Sequence, residues 1–130
     1  MPTLSLYAWI AAGGAIGTVL RYRIGLWFAG LVGEAMPWGT IVINITGSFV
    51  IGLFAALLEG GRLQVAPEVR SFVLVGLCGG FTTFSSFSLQ TLTLVQTGHP
   101  GRALANVLVS VALCLVAVWL GFVAATTRVT

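Results

Sequence analysis

The chain contains no lysine and no aspartate. Six basic and three acidic side chains serve all 130 residues, and every one of them is an arginine or a glutamate: Arg21, Arg23, Glu34, Glu59, Arg62, Glu68, Arg70, Arg102 and Arg128. That scarcity excludes a soluble domain, in which about 25% of residues carry charge. It also excludes a basic patch for nucleic acid, so no nucleic-acid partner is expected. There is one histidine, His99, and there are two cysteines, Cys78 and Cys114, with no CxxC motif. A zinc site of ordinary ligand spacing is therefore not expected. Haem ligation, which wants a buried histidine, is not expected either. The two cysteines lie within long apolar runs, where cysteine behaves as a small buried apolar residue, so free thiols are expected. No nucleophile, base and orienting partner converge, and an enzyme is not expected.

What the chain does have is apolar surface. Hydrophobic residues make up 58% of it, more than a fold of this length can hide from water, because small domains keep much of their surface solvated. The charges fall in clusters. Between them, residues 2–20, 35–58, 71–101 and 103–127 carry no formal charge. A helix crosses the hydrocarbon core with about 20 apolar residues, so the pattern predicts an all-α integral membrane protein. Its single transmembrane domain, residues 1–130, would have four spans at about 4–32, 39–58, 71–96 and 103–125. The first segment reads as a span rather than a signal peptide, since it lacks a basic n-region and holds Gly13, Gly14 and Gly17.

Each span has its own signal. Gly13, Gly17 and Arg21 are spaced four apart on one helical face, and small residues at that spacing let a second helix approach closely. Asn44 is the strongly polar side chain of span two, followed on the same face by Gly47 and Ser48. Span three holds Gly79-Gly80-Phe81-Thr82-Thr83-Phe84-Ser85-Ser86-Phe87-Ser88 at its midpoint. Paired glycines weaken a helix by about 1 kcal/mol each, so a break is expected there, and a break inside a membrane must be buried in protein or line an aqueous cavity. Span four reads as apolar throughout, with Ser110 and Cys114 as a stripe of small residues. Orientation is undecided by charge. Arg62, Arg70 and Arg128 flank one side and Arg21, Arg23 and Arg102 the other, and topology follows the Lys/Arg bias. A tie permits insertion in both directions and pairing with an inverted copy.

The ten residues Gly79 to Ser88 resemble the GG-x-[ST]-TFS-[ST]-FS signature of the Fluc (CrcB) fluoride channels. Gly13-Gly14 through Gly17 to Arg21, Gly39-Thr40 with Asn44 and Gly47, and Leu120-Gly121-Phe122 match in order and spacing, so the similarity covers essentially the whole chain. The resemblance implies an antiparallel dual-topology homodimer in the cell inner membrane, with two passive pores that export fluoride from the cytoplasm and so relieve its toxicity. It implies a structural sodium ion at the dimer interface, held by the main-chain carbonyls of Gly79 and Thr82 from both subunits. It carries the pore role to Asn44, Phe84 and Phe87, with Ser85, Ser86 and Ser88 on a polar track nearby and Arg21 matching the span-one arginine. The partners it implies are fluoride, membrane lipid and a second copy. Gln90, Cys114 and Val118 depart from residues found in several relatives (Glu, Ser and Thr) and leave the outer polar track unassigned.

The residue types suit a small, strongly hydrated anion. Aromatic rings present a positive edge, amides and hydroxyls donate hydrogen bonds, and the lack of a mid-span full charge avoids trapping the ion. Each residue also has an ordinary use. Phenylalanines three apart pack, a mid-span Asn bonds one helix to another, and an arginine near a span end snorkels to the headgroups. The rival from another class is a small four-helix proton-coupled multidrug antiporter. Proton coupling needs an acid or histidine inside a span, whereas Glu34, Glu59 and Glu68 sit at span ends and Gln90 does not titrate.

Overall fold

The computed structural model describes residues 3–127, all-helical apart from short connections. Helix α1 spans Leu4–Val32, with Thr3 as its N-cap accepting from the Leu6 amide and Gly33 as its C-cap at φ 75°. Its 29 residues extend about 43 Å at 1.5 Å per residue, longer than a bilayer core of about 30 Å, so α1 tilts or runs on into the interface. Helix α2 spans Trp38–Glu59. The chain then passes through α3 (Pro67–Ser71), a π-helical stretch (Phe72–Leu77) and α4 (Cys78–Phe81). Thr82 and Thr83 are extended, at φ −84°, ψ 158° and φ −153°, ψ 116°. Helix α5 resumes at Phe84 and runs to Gln96, and α6 spans Pro100–Thr126.

Among the described residues, four stretches are long and apolar enough to cross a membrane: Leu4–Val32, Trp38–Glu59, Pro67–Gln96 and Pro100–Thr126. The chain is a multi-pass membrane protein. Two helix starts differ from the charge-based reading. The third stretch begins at Pro67 rather than at residue 71, and the fourth at Pro100 rather than at residue 103. In both cases a proline occupies the first helical turn, where its missing N–H costs nothing and its φ is already helical. Arg70 and Arg102 are thus carried on helices and not in loops.

Packing is backbone against backbone, through glycine. A Cβ on Gly13 would meet the Phe72 carbonyl, one on Gly17 the Leu77 carbonyl, one on Gly76 the Ile10 carbonyl and one on Gly80 the Gly14 carbonyl. Glycines of α1 therefore interlock with glycines of the first half of the third span. The same device joins α2 to α6, where a Cβ on Gly52 would strike the Val118 carbonyl and one on Gly121 the Phe49 carbonyl. Without a hydrophobic drive in lipid, close approach of this kind supplies the dispersion contact that holds helices together. The buried apolar residues are correspondingly few and mostly small: Ile41, Ile43, Ala56, Cys78, Phe87, Ala103, Ala117 and Ala125. Large apolar side chains such as Leu26, Leu104, Leu108, Leu115 and Trp119 face outward, as lipid allows and water does not. Cys78 and Cys114 are free thiols. No α4 and α6 residues come within 8 Å, Cα to Cα, so a disulfide, which needs 4.4–6.8 Å, cannot join them.

Arg62 fastens the end that α2 and α6 share. Its guanidinium donates to the Ala125 and Thr126 carbonyls at the end of α6, which a continuous helix leaves without partners.

Candidate functional site

The interruption at Thr82-Thr83 is where the polar groups gather. Asn44, in the second turn of α2, grips Thr83 by its backbone. Its Oδ1 accepts from the Thr83 N–H at 2.8 Å and its Nδ2 donates to the Thr83 carbonyl at 3.1 Å. In a continuous helix that N–H would go to the Gly79 carbonyl. Asn44 diverts it, and the Gly79 carbonyl loses its helical donor. Thr83 then caps α5, its Oγ1 accepting from the Ser86 amide at 3.1 Å, as N-cap threonines do. Thr82 closes α4 through its N–H and Oγ1, which both donate to the Cys78 carbonyl. Gly47 leaves the space that the Thr82 methyl occupies.

Arg21 reaches the same place from α1. Its Nε donates to the Gly80 carbonyl at 3.1 Å, and Thr18 Oγ1 lies 3.5 Å from the same oxygen. The arginine therefore turns inward to the interruption and does not snorkel, because Gly80 exposes a carbonyl whose helical donor is missing. The charge tally changes with it. Arg21 ceases to be a flanking charge, leaving Arg23 and Arg102 against Arg62, Arg70 and Arg128, the last of which lies outside the described residues.

Two openings flank this point. A cavity of about 500 Å³ runs between α1, α2 and α5 and is lined by Arg21, Thr40, Thr83, Ser86, Gln90 and Thr93 among others. A groove of about 400 Å³ on the other side is lined by Asn44, Gly79, Thr82, Thr83, Phe84, Ser110 and Cys114 among others. Thr83 borders both. Phe84 is 76% exposed and Phe87 8%, their ring centroids 5.3 Å apart and tilted by 49°. Of the serines, Ser86 lines the larger cavity. Ser85 Oγ lies 3.4 Å from Thr83 Oγ1, and the Ser88 hydroxyl donates back to the Phe84 carbonyl at 2.9 Å. Arg21 and Ser86 are thus brought to one opening and Asn44 and Phe84 to the other, while Phe87, Ser85 and Ser88 line neither.

The local electrostatics are of two signs. Helix α4 ends in carbonyl oxygens and α5 begins with N–H groups that its own helix does not use, at the positive end of its dipole. The Arg21 guanidinium adds a full positive charge on the cavity side, so the expectation that no full charge lies mid-span does not hold.

One buried amide escapes the reading of span four as apolar throughout. Asn106 is only 1% exposed. Its Nδ2 donates to Thr91 Oγ1 at 2.9 Å, Ser110 Oγ donates to its Oδ1 at 3.1 Å, and Thr91 Oγ1 donates to the Phe87 carbonyl at 2.8 Å. Ser110 therefore belongs with Asn106, one turn earlier, rather than with Cys114. This relay ties α6 to the turn of α5 that carries Phe87. The signal in the sequence is an Asn and a Ser at i, i+4 within an otherwise apolar window. Gln90 Oε1 is the one buried side-chain polar atom without a hydrogen-bond partner among the described residues.

Residues 8–122 match the family model described as CrcB-like protein, Camphor Resistance (CrcB). The chain belongs to the CrcB family. Among CrcB relatives, the protein of Rhodospirillum rubrum is 56% identical over 120 residues, covering 92% of this chain and 93% of the relative. That of Opitutus terrae is 55% identical over 123 residues, covering 94% and 93%, and that of Paramagnetospirillum magneticum 57% over 121, covering 92% and 94%. All three relatives are named fluoride-specific ion channel FluC.

Proposed function

We propose that this CrcB protein is a passive, fluoride-selective channel of the cell inner membrane that exports fluoride from the cytoplasm, working as an antiparallel dual-topology homodimer whose third span is broken at its midpoint. The observation that carries the reading is the Asn44 clamp on Thr83, set within the Gly79–Ser88 signature and in agreement with the names of the relatives. The clamp supports a break in span three that is an ordered feature, with donors on one side and acceptors on the other.

Fluoride would exchange its hydration for weak donors in series: a hydroxyl, an amide hydrogen, the edge of a phenyl ring. Asn44 commits one amide hydrogen to Thr83 and keeps a second to offer. Phe84, exposed on the isolated chain, presents a ring edge of positive partial charge. Phe87, held by the Asn106–Thr91 relay, fixes the ring beside it. Ser86 and Arg21 attract the anion on the cavity side, and Ser85 and Ser88 complete the polar turn. No step consumes energy, so net flow follows the gradient.

The same reading includes a structural sodium ion between two copies. The donors fit. The Gly79 carbonyl has lost its helical N–H to Asn44, the Thr82 carbonyl lies in extended backbone, and a Cβ on Gly79 would meet nothing within 4 Å in the single chain. Two neutral hard oxygens from each copy suit an alkali cation better than a transition metal. Bound there, sodium would hold the two breaks together by charge and would not travel with fluoride.

A small four-helix proton-coupled antiporter is disfavoured by the placement of the acids. Glu34 lies in the α1–α2 turn, Glu59 is the last residue of α2 and Glu68 sits in the first turn of α3. The test is anion efflux from liposomes holding purified protein. Fluoride should leave electrogenically and chloride should stay; chloride efflux of equal size would end the fluoride-channel reading. Tagged termini should be found on both faces of the membrane, and a single orientation for all copies would remove the inverted dimer.

A further inference from the structure

The larger cavity carries charges of both signs. Its ionisable lining residues are Arg21, Tyr22 and Glu34. Arg21 is anchored deep, on the Gly80 carbonyl. Glu34 is exposed in the α1–α2 turn, just past the Gly33 cap. Helix α1 continues from Arg21 to Val32, about 17 Å along its axis at 1.5 Å per residue. Neither charge makes an ion pair among the described residues, so the carboxylate and the guanidinium stand unneutralised at opposite ends of one cavity.

We infer that Glu34 is a rate-setting residue at the cavity mouth, a fixed negative charge that slows anion entry toward Arg21. This rests on the channel reading above. A cleft with low-dielectric walls focuses the field of its charges on an entering ion. Arg21 draws an anion inward, and Glu34 repels it at the threshold. A unit charge about 6 Å from the entry path in water changes the local anion concentration about threefold. Salt screens the effect, because the Debye length falls from about 30 Å at 0.01 M to about 3 Å at 1 M. Glu34 therefore sets the capture rate when fluoride is scarce and has little influence once the pore is saturated.

The test uses full-length protein in liposomes of net-neutral lipid, with Glu34→Gln and Glu34→Asp. Neither change alters the Lys/Arg bias that sets topology. At subsaturating fluoride and about 0.01 M ionic strength, Glu34→Gln should pass fluoride roughly two to four times faster than the parent, and the two should converge at about 1 M. Glu34→Asp should keep the parental rate. An equal rate for Glu34→Gln at low salt, or a gain that persists at high salt, overturns the inference.

A second readout does not depend on conduction. Trp38 lines the same cavity, so a variant with Trp9, Trp27 and Trp119 changed to phenylalanine reports on its mouth by fluorescence. Quenching by iodide relative to neutral acrylamide should rise in the Glu34→Gln version at low salt and not at high salt. An unchanged ratio overturns the inference whatever the flux does, and a raised ratio with unchanged fluoride flux overturns the rate-setting role. A parent that passes no fluoride defeats the channel reading itself, while the quenching ratio still decides whether Glu34 governs the field.

Discussion

Replacing Asn44 by alanine removes both bonds that hold Thr83 out of helical geometry. The Thr83 carbonyl suffers little, because an N-cap carbonyl also accepts the first bond of its own helix. The Thr83 N–H loses its acceptor inside the membrane, and leaving a buried donor unsatisfied costs about 1–3 kcal/mol. The chain has one relief. The N–H can return to the Gly79 carbonyl and heal the helix, but Thr83 then no longer caps α5, and Phe84 rotates away from its present direction. Either outcome is visible. Without healing, unfolding in mixed micelles should show a loss of about 1–3 kcal/mol. With healing, stability recovers while fluoride flux falls by tenfold or more. Asn44→Asp keeps an acceptor for the N–H but sets a carboxylate oxygen against the Thr83 carbonyl that Nδ2 now serves, so it should lower stability as well. Parental stability together with parental flux in Asn44→Ala would refute the clamp as the organiser of the site.

Further outcomes follow from the same contacts. Gly17→Ala drives a methyl into the Leu77 carbonyl and the Phe81 amide and should lower thermal stability in detergent by about 1–3 kcal/mol, whereas Gly30→Ala, with nothing within 4 Å, should be neutral or stabilising by up to about 1 kcal/mol. Arg21→Gln removes the charge bound to Gly80 and should reduce fluoride flux several-fold at low ionic strength, with the deficit shrinking as salt rises. Phe84→Ile and Phe87→Ile keep apolar bulk and remove the ring edge; at least one should cut flux strongly in liposomes while the protein keeps its oligomeric state, and full flux in both would remove the ring-edge step.

The four spans were legible because charge is expensive in lipid, and the nine charges mark out the intervals between them. Their starts were less legible, since Pro67 and Pro100 begin helices before the charge-free runs do. Gly13 and Gly17 announced a close helix contact by their spacing. Their partners, Gly76 and Gly80, became clear only in three dimensions, because spacing within one helix says nothing of which helix it meets. Arg21 was misplaced by the ordinary logic of span ends. What decides its direction is a carbonyl 59 residues later in the chain, freed by an interruption whose hydrogen bonds the sequence does not display. Asn106 was overlooked because one amide barely changes the hydropathy of its window, although burial makes it the centre of a relay. The π-helical stretch Phe72–Leu77 left no mark in the residue pattern.

Passive conduction of fluoride fixes the potential at which its flow stops. In liposomes with purified protein and a tenfold fluoride gradient, net flux should be zero at the equilibrium potential of fluoride, about 59 mV for one charge. That potential should stay fixed when a pH difference is imposed across the membrane. A zero-flux potential that moves with the proton gradient would make the protein a coupled transporter instead of a channel.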